Sequence, residues 1–193
     1  MAILTGSKKI NTAVFISGTG SNLKSLINFS KLKNSPISIK LIISDNDKAK
    51  GLIFAKRFKI KKRVLNFKRN IFIDKKLILL LKKNNIYLIC LAGFMKILSE
   101  NFIKRFKGKI LNIHPSLLPK YKGLNTHERA LKNKDKYSGC TVHFVSSRLD
   151  SGKIILQKRV IIRKKDTSKT LAKRILVQEH KLYPKAILKI FNL

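Results

Sequence analysis

The feature of this sequence that most constrains its fold is the alternation of short apolar runs with segments of helical periodicity. The first run, residues 13–17, is followed by Gly18 and Gly20 and then by apolar residues at helical spacing, which predicts a strand, a glycine turn and a helix. Further strands are predicted at 37–44, 63–65, 86–91, 110–113, 140–145 and 154–162, and helices at 47–58, 71–83, 100–106, 126–131 and 171–190. Asp47 can serve as the N-cap of the second helix. Apolar strands separated by helices are typical of a parallel sheet covered on both faces.

We therefore predict a single α/β domain over residues 1–193, Rossmann-like, with a mostly parallel central sheet and helices on both faces. Its length lies within the roughly 100 to 200 residues that one hydrophobic core usually serves. The sequence contains no apolar run long enough to span a membrane. Because no apolar segment follows the lysines near the start, we expect a cytoplasmic protein.

The net charge of +35, from 44 Lys and Arg against 9 Asp and Glu, suggests a nucleic-acid partner at first sight. The basic residues, however, are spread along the whole chain, and Lys, Ile and Asn are all abundant, as expected from AT-rich codons. A non-enzymatic nucleic-acid-binding module would interleave aromatic and basic residues on one face. Aromatic residues make up 8% of the chain and Trp is absent. We therefore favour a compositional origin for the charge and expect no specific nucleic-acid partner.

The two cysteines give no sign of a metal site. Neither Cys90 nor Cys140 has a second cysteine or a histidine at ligand spacing. Both lie in apolar runs, so we expect buried thiols.

The glycine turn at 17–22 (SGTGSN) is a candidate phosphate site, since free N–H groups at a helix N-terminus suit an anion. It matches neither a full dinucleotide-binding fingerprint nor a Walker sequence. The alternative is a plain turn in which Ser21 caps the helix.

A second candidate site follows the predicted strand 110–113. Asn112 and His114 are two residues apart and can point to the same side of the sheet, where an amide and an imidazolium would stabilise an oxyanion. Asp150 is one of few acidic residues, and beside His114 it would favour the imidazolium and fix its orientation. The alternative for Asp150 is a turn residue before Gly152.

Taken together, these motifs resemble the phosphoribosylglycinamide formyltransferase family. The resemblance extends over about residues 13–190. It is carried by segments 17–23, 91–98, 112–121, 142–145, 149–150 and 178–180.

The resemblance implies the formyltransferase fold and transfer of the formyl group of 10-formyltetrahydrofolate to the amine of glycinamide ribonucleotide, by direct attack and without a metal, in purine biosynthesis. It implies three catalytic residues, Asn112, His114 and Asp150. It implies contacts to glycinamide ribonucleotide from Gly20, Ser21, Asn22, Leu176, Val177, Gln178 and Glu179. It implies contacts to the folate from Arg69, Met95, Lys96, Ile97, Leu98, Asn112, Ser146, Ser147, Arg148, Leu149 and Asp150. We expect these two small molecules as the partners of a monomer or homodimer.

The same apparatus occurs in methionyl-tRNA formyltransferase and in formyltetrahydrofolate hydrolase. The first normally has a C-terminal domain, for which we expect no room after Asn192, and the second an N-terminal regulatory domain. Among the other histidines, His127 with Thr126 is predicted to cap and pack a helix. His143 is predicted to be structural, and His180 to be a hydrogen-bonded packing residue beside Glu179.

Overall fold

A computed structural model describes residues 9–67 and 71–193. Its strands are β1 Ile10–Ile16, β2 Ile37–Ser44, β3 Lys61–Val64, β4 Leu88–Leu91, β5 Lys109–His114, β6 Tyr137–Phe144 and β7 Ile154–Ile161. Its helices are α1 Ser21–Ser30, α2 Ile53–Arg57, α3 Ile71–Lys83, α4 Glu100–Arg105, α5 Thr126–Lys132 and α6 Ser168–Ile190. A 3₁₀ turn, Lys50–Leu52, precedes α2.

The strands form one seven-stranded sheet in the order β3-β2-β1-β4-β5-β6-β7. Strands β1 to β5 are parallel, whereas β6 and β7 are antiparallel to their neighbours. The prediction of a mostly parallel sheet is confirmed. The chain runs outward from β1 to β3 and then returns to the other side of β1 with β4. This reversal opens a crevice at the carboxyl ends of β1 and β4, where ligands bind in such sheets.

Helices cover both faces of the sheet, because successive side chains of its strands point to opposite sides. On one face the buried residues of β1 pack with those of α1 and α6, as in the set Val14, Ile16, Leu26 and Ile175. On the other face they pack with α3 and α4, as in the set Ala13, Phe15, Leu77 and Phe102. The central strands are therefore apolar on both sides, as a doubly covered sheet requires.

The segment after β2 differs from the prediction. The predicted helix 47–58 begins only at the 3₁₀ turn, and Asp47 does not cap it. Instead, the Asn46 side chain accepts a hydrogen bond from the Lys48 N–H at 3.0 Å and forms a local turn. The Gly51 N–H donates to the Gly18 carbonyl at 3.0 Å. This close packing against the loop after β1 delays the start of the helix.

The last helix begins three residues earlier than predicted. Thr167 is its N-cap, and Thr167 and Thr170 form a reciprocal capping box. The sequence signal was missed because Thr, in place of the usual Glu or Gln, fills the second position of that box.

Both cysteines are buried free thiols, as predicted. Burial raises the pKa of Cys90 and of Cys140 to about 12, so both are protonated at neutral pH.

Candidate functional site

A cavity of about 850 Å³ opens at the carboxyl ends of β1, β4 and β5. The predicted site residues that line it are Gly20, Ser21, Asn22, Met95, Lys96, Ile97, Leu98, Asn112, His114, Ser146, Ser147, Arg148, Leu149, Asp150, Leu176 and Glu179. Val177 and Gln178 do not line it, because only residues three or four apart share a face of α6. Arg69 lies outside the described residues. The sheet thus brings segments far apart in sequence to one cavity.

His114 lies at the end of β5 and is buried. Its Nδ1 lies 3.3 Å from Oδ2 of Asp150, and its Nε2–H donates to the carbonyl of Tyr121 at 2.9 Å. Both ring nitrogens therefore face acceptor oxygens, an arrangement that only the doubly protonated imidazolium satisfies on both sides.

Burial opposes that charge. Removal from water is the largest effect on His114 and lowers its pKa below the ordinary 6.5, although the Tyr121 carbonyl and the Asp150 carboxylate act to raise it. The His114 proton is thus held by well-placed acceptors in a site that favours its release. Such a balance suits a group that gains and loses a proton during a reaction.

Asp150 occupies a turn with a left-handed φ of 45°, and its side chain is buried. The Gly123 N–H donates to Oδ2 at 2.9 Å, and Nδ2 of Asn112 donates to Oδ1 at 3.4 Å. Burial acts to raise the pKa of Asp150, but the adjacent His143 ring, the hydrogen bond from the Gly123 N–H and the nearby charge of His114 hold that pKa below its ordinary value. Asp150 is therefore ionised at neutral pH and faces both His114 and Asn112.

His143 lies in one cluster with Asn112, His114 and Asp150, whereas the sequence predicted only a structural role for it. Its Nδ1–H donates to its neighbour's carbonyl, on Phe144, at 2.8 Å. Its Nε2 lies 3.2 Å from Nδ2 of Asn112 and 3.6 Å from Oδ1 of Asp150. The antiparallel register of β5 and β6 pairs His143 directly with Asn112. No spacing in the sequence reveals that pairing, because it depends on which strands become neighbours.

The glycine loop, residues 18–22, joins β1 to α1. Gly20 is the N-cap of α1 in a left-handed conformation with φ 73°, so Ser21 is not the cap. A Cβ on Gly20 would lie 2.7 Å from Cα of Gly51, which leaves room there for glycine alone. Gly20 has no side chain to cap the helix, and no other side chain in residues 9–67 and 71–193 bonds to its first amides, which are left for another acceptor.

Glu179 closes the same end of the cavity. Its Oε2 accepts a hydrogen bond from Nδ2 of Asn22 at 2.6 Å, and its side chain is buried. Burial raises the pKa of Glu179, and the Asn22 hydrogen bond offsets this only in part. One turn further along α6, the hydroxyl of Tyr183 lies 3.1 Å from the carbonyls of Leu91 and Leu111 and ties the helix to β4 and β5.

The other end of the cavity has an apolar mouth. Met95 and Ile97, in the loop after β4 (residues 92–98, the β4 loop), are 63% and 66% exposed. Leu124 and Leu149, which line the same cavity, are 72% and 51% exposed. Leu124 was not predicted as a site residue. An exposed apolar patch that rims a deep cavity is typical of a binding site for a flat ring system.

The remaining histidine predictions need correction. The N-cap of α5 is Asn125, with φ 57°, and the Thr126 hydroxyl has no hydrogen-bond partner among the described residues. His127 lines the cavity, and its buried Nδ1 finds no partner in the described part of the chain. Nε2 of His180 is likewise buried without one over residues 9–67 and 71–193, so its side chain is not hydrogen-bonded through that atom.

No group of three or more His, Cys, Asp or Glu side chains in residues 9–67 and 71–193 is arranged to hold a metal ion. No helix in the same ranges is long and apolar enough to cross a lipid bilayer.

Comparison with known proteins identifies relatives over most of the chain. The formyl transferase family model matches residues 10–187. The phosphoribosylglycinamide formyltransferase of Haemophilus influenzae is 44% identical over 183 residues, which are 93% of this chain and 85% of that protein. The human trifunctional purine biosynthetic protein adenosine-3 is 46% identical over 93% of this chain, but the chain spans only 18% of its length. The crystal structure of phosphoribosylglycinamide formyltransferase from Anaplasma phagocytophilum aligns with a TM-score of 0.87 at 43% identity, covering 93% of this chain and 85% of that one.

Proposed function

Because the chain belongs to the phosphoribosylglycinamide formyltransferase family, we propose that it transfers the formyl group of 10-formyltetrahydrofolate to the amine of glycinamide ribonucleotide. The products are formylglycinamide ribonucleotide and tetrahydrofolate, in a step of purine biosynthesis. The observation that carries this proposal is the convergence of two donors on one carboxylate. Nδ1 of His114 and Nδ2 of Asn112 lie 3.3 and 3.4 Å from the two oxygens of Asp150.

The glycine-loop end of the cavity suits the ribonucleotide. The uncapped amides at the start of α1 and the positive end of its dipole attract a phosphate. Glu179, as an acceptor within reach of the cavity, suits the hydroxyl groups of a ribose. In the predicted segment 176–179, Leu176 and Glu179 line the cavity and would face the ligand.

The apolar mouth suits the folate. Residues 95–98 of the β4 loop and residues 146–150 after β6 both line the cavity, and we expect the pterin ring to bind between them. The formyl group would then point inward toward Asn112 and His114. The amine would approach from the opposite end, so that the two reactants meet at the cluster around Asp150.

The reaction needs no covalent enzyme intermediate. The lone pair of the amine attacks the formyl carbon, and the C=O electron pair moves onto oxygen to give a tetrahedral oxyanion. Asn112 and the imidazolium of His114 would donate hydrogen bonds to that oxyanion. To do so, His114 would exchange the Tyr121 carbonyl for the oxyanion as the acceptor of its Nε2–H, and Asn112 Nδ2 would turn from its present partners, Asp150 and His143. When the C=O bond re-forms, the bond to N10 breaks, N10 takes up a proton, and the former amine loses one. Asp150 favours the charged form of His114 against the effect of burial and helps to carry the proton.

The test is a formyl-transfer assay of the purified protein with glycinamide ribonucleotide and 10-formyltetrahydrofolate, with charged initiator tRNA and water as competing acceptors in parallel reactions. We expect formylated glycinamide ribonucleotide and tetrahydrofolate in equal amounts. Formylation of the tRNA without formylation of the ribonucleotide would overturn the proposal. So would release of formate without transfer.

A further inference from the structure

Ser17, between β1 and the glycine loop, connects three strand ends. Its N–H donates to the carbonyl of Gly93 at 3.1 Å, and its Oγ accepts from the N–H of Met95 at 2.8 Å. Its own carbonyl accepts from Nδ2 of Asn46, after β2, at 3.3 Å. Every polar group of this one residue therefore contacts a neighbouring loop, and two of the three bonds go to the β4 loop.

These bonds extend the β1–β4 ladder beyond the strands. The last paired residues are Phe15 and Leu91, and the next bonds are Ala92 N–H to Phe15 O at 2.9 Å and Ser17 N–H to Gly93 O. Gly93, with φ 70°, then turns the β4 loop away, so the Met95 amide cannot continue the ladder. The Ser17 hydroxyl replaces the missing backbone acceptor.

In the described part of the chain, the rest of the β4 loop is held mainly by side-chain packing, with few hydrogen bonds. Among the described residues, no backbone to backbone hydrogen bond holds residues 94–98. The ring of Phe94 packs edge-on against Phe15 at 5.4 Å between centroids, which anchors the start of the loop in the core. Within residues 9–67 and 71–193, the hydroxyl of Ser17 is the one acceptor seen for the Met95 amide, next along the chain.

A nearby ion pair contributes less to the position of the loop. Nζ of Lys96 lies 3.9 Å from Oδ2 of Asp45, and the lysine side chain is half exposed. The Asp45 side chain is buried, but the 3.9 Å separation lies at the limit for an ion pair, and holding the half-exposed lysine in place costs side-chain freedom. The 2.8 Å hydrogen bond of Ser17 is the short, directed contact.

We propose that Ser17 is a positioning residue that couples the two ligand sites, so that an anion-bearing ligand on the glycine loop raises the affinity of the β4 loop for the folate. This inference rests on the proposed function. A phosphate bound by the amides of the glycine loop restrains the residue immediately before it, and Ser17 passes that restraint to Met95 through its hydroxyl. Because coupling between two sites is reciprocal, bound folate raises the affinity for the ribonucleotide by the same factor.

The experiment measures binding without turnover. Calorimetry gives the Kd of glycinamide ribonucleotide alone and with saturating tetrahydrofolate, the product that carries no formyl group. The reciprocal titration gives the Kd of tetrahydrofolate with and without the ribonucleotide. For the wild type we expect each ligand to lower the other's Kd about 5-fold or more. In Ser17→Ala we expect that factor to fall toward 1 and the KM for 10-formyltetrahydrofolate to rise about 2- to 12-fold, the range for one lost hydrogen bond.

A matched pair of variants separates the hydroxyl from the shape of the side chain. Thr and Val have the same outline, so Ser17→Thr should keep the coupling and Ser17→Val should lose it. Ser30→Ala is the control for loss of a serine hydroxyl, because the Ser30 hydroxyl donates to the Ile27 carbonyl at the far end of α1, away from both ligand sites.

The outcomes distinguish the two proposals. Equal coupling in the Thr and Val variants, or no coupling in the wild type, would overturn the role of Ser17 even if formyl transfer is normal. Absence of formyl transfer in the wild type would overturn the proposed function, whereas the binding titrations would still report on Ser17.

Discussion

Each end of the cavity contains one buried carboxylate, and the two differ in the hydrogen bonds they accept and in the direction in which their pKa is shifted. Asp150 receives hydrogen bonds from the Gly123 N–H and from Asn112, with two histidines beside it, and its pKa is lowered. Glu179 receives one hydrogen bond, from Asn22, and burial raises its pKa. The carboxyl group of Asp150 is therefore ionised at neutral pH, whereas the surroundings of Glu179 disfavour its ionised form.

The difference indicates two roles, one in the reaction and one in ligand recognition. A fully satisfied carboxylate such as Asp150 keeps its charge and orients its neighbours, so it belongs with the reacting groups. A carboxylate with few donors, such as Glu179, gains stability when a ligand brings hydroxyl groups to it. The number of donors within reach, more than the depth of burial, separates the reacting end from the recognition end.

The largest effect is expected at the Asp150 end, from removal of the donors themselves. We expect Asn112→Ala and His114→Ala to lower kcat about 100- to 1000-fold, the usual cost of one oxyanion donor. Steady-state kinetics measure the loss, and circular dichroism with thermal unfolding checks the fold. Asn101→Ala is the matched control, since Asn101 bonds to Asp74 on the surface. Near wild-type turnover of His114→Ala would contradict the assignment.

Asp150→Asn tests whether the carboxylate keeps His114 charged. Without Asp150 the pKa of His114, already lowered by burial, falls further, so less imidazolium remains at a given pH. At pH well below both pKa values the histidine is charged in either protein, and this part of the loss disappears. The ratio of wild-type to variant kcat/KM should therefore grow as pH rises from 5 to 8, reaching about 10-fold or more near neutrality, the scale of a charged hydrogen bond.

A pH-rate profile of both proteins gives that ratio directly. Asp74→Asn, a surface change on α3, should give a flat ratio near 1. A ratio for Asp150→Asn that is large but constant across the pH range would mean that the carboxylate acts in some way other than through the charge of His114.

Glu179→Gln tests the recognition end. The variant keeps the side-chain shape but loses the charge, so the KM for glycinamide ribonucleotide should rise about 10-fold, with a smaller change in kcat.

Because the folded-state pKa of Glu179 lies above its ordinary 4.5, its protonated form is favoured by folding, and the associated stability is lost as pH rises through that folded pKa. The difference in Tm, variant minus wild type, should therefore increase with pH above 4.5.

Thermal unfolding of both proteins between pH 4 and 8 measures this trend. Glu100→Gln, on the surface of α4, is the control and should show no rise in the KM for the ribonucleotide. A Tm difference that shrinks as pH rises would show that Glu179 is stabilised, not penalised, as an anion.

The smallest effect concerns the surface charge that both ends share. With a net charge of +35, the protein should attract the phosphate of one substrate and the glutamate tail of the other. Raising the ionic strength from 0.01 to 0.15 M shortens the screening length from about 30 to 8 Å, so both KM values should rise a few-fold while kcat changes little. KM values that do not depend on salt would show that the excess charge has no part in binding.

Sequence patterns predicted the regular elements well where the signal is local. The strand at 37–44 and the helix at 71–83 have the predicted bounds, because apolar spacing within each segment decides them. Asp47 was wrongly expected to cap a helix. The actual start depends on the contact between Gly51 and Gly20, which lie 31 residues apart in sequence and on different elements.

The features of the candidate site likewise divide into those that local sequence predicts and those that only the tertiary structure reveals. The sequence alone determined that Asn112 and His114 share one side of a strand end and that a glycine turn opens the first helix, since both follow from the geometry of a few adjacent residues. Only the tertiary structure decided that His143 joins the cluster and that Ser17 reaches Met95. Those contacts depend on which strands become neighbours, in which register, and that choice is made by the packing of the whole sheet.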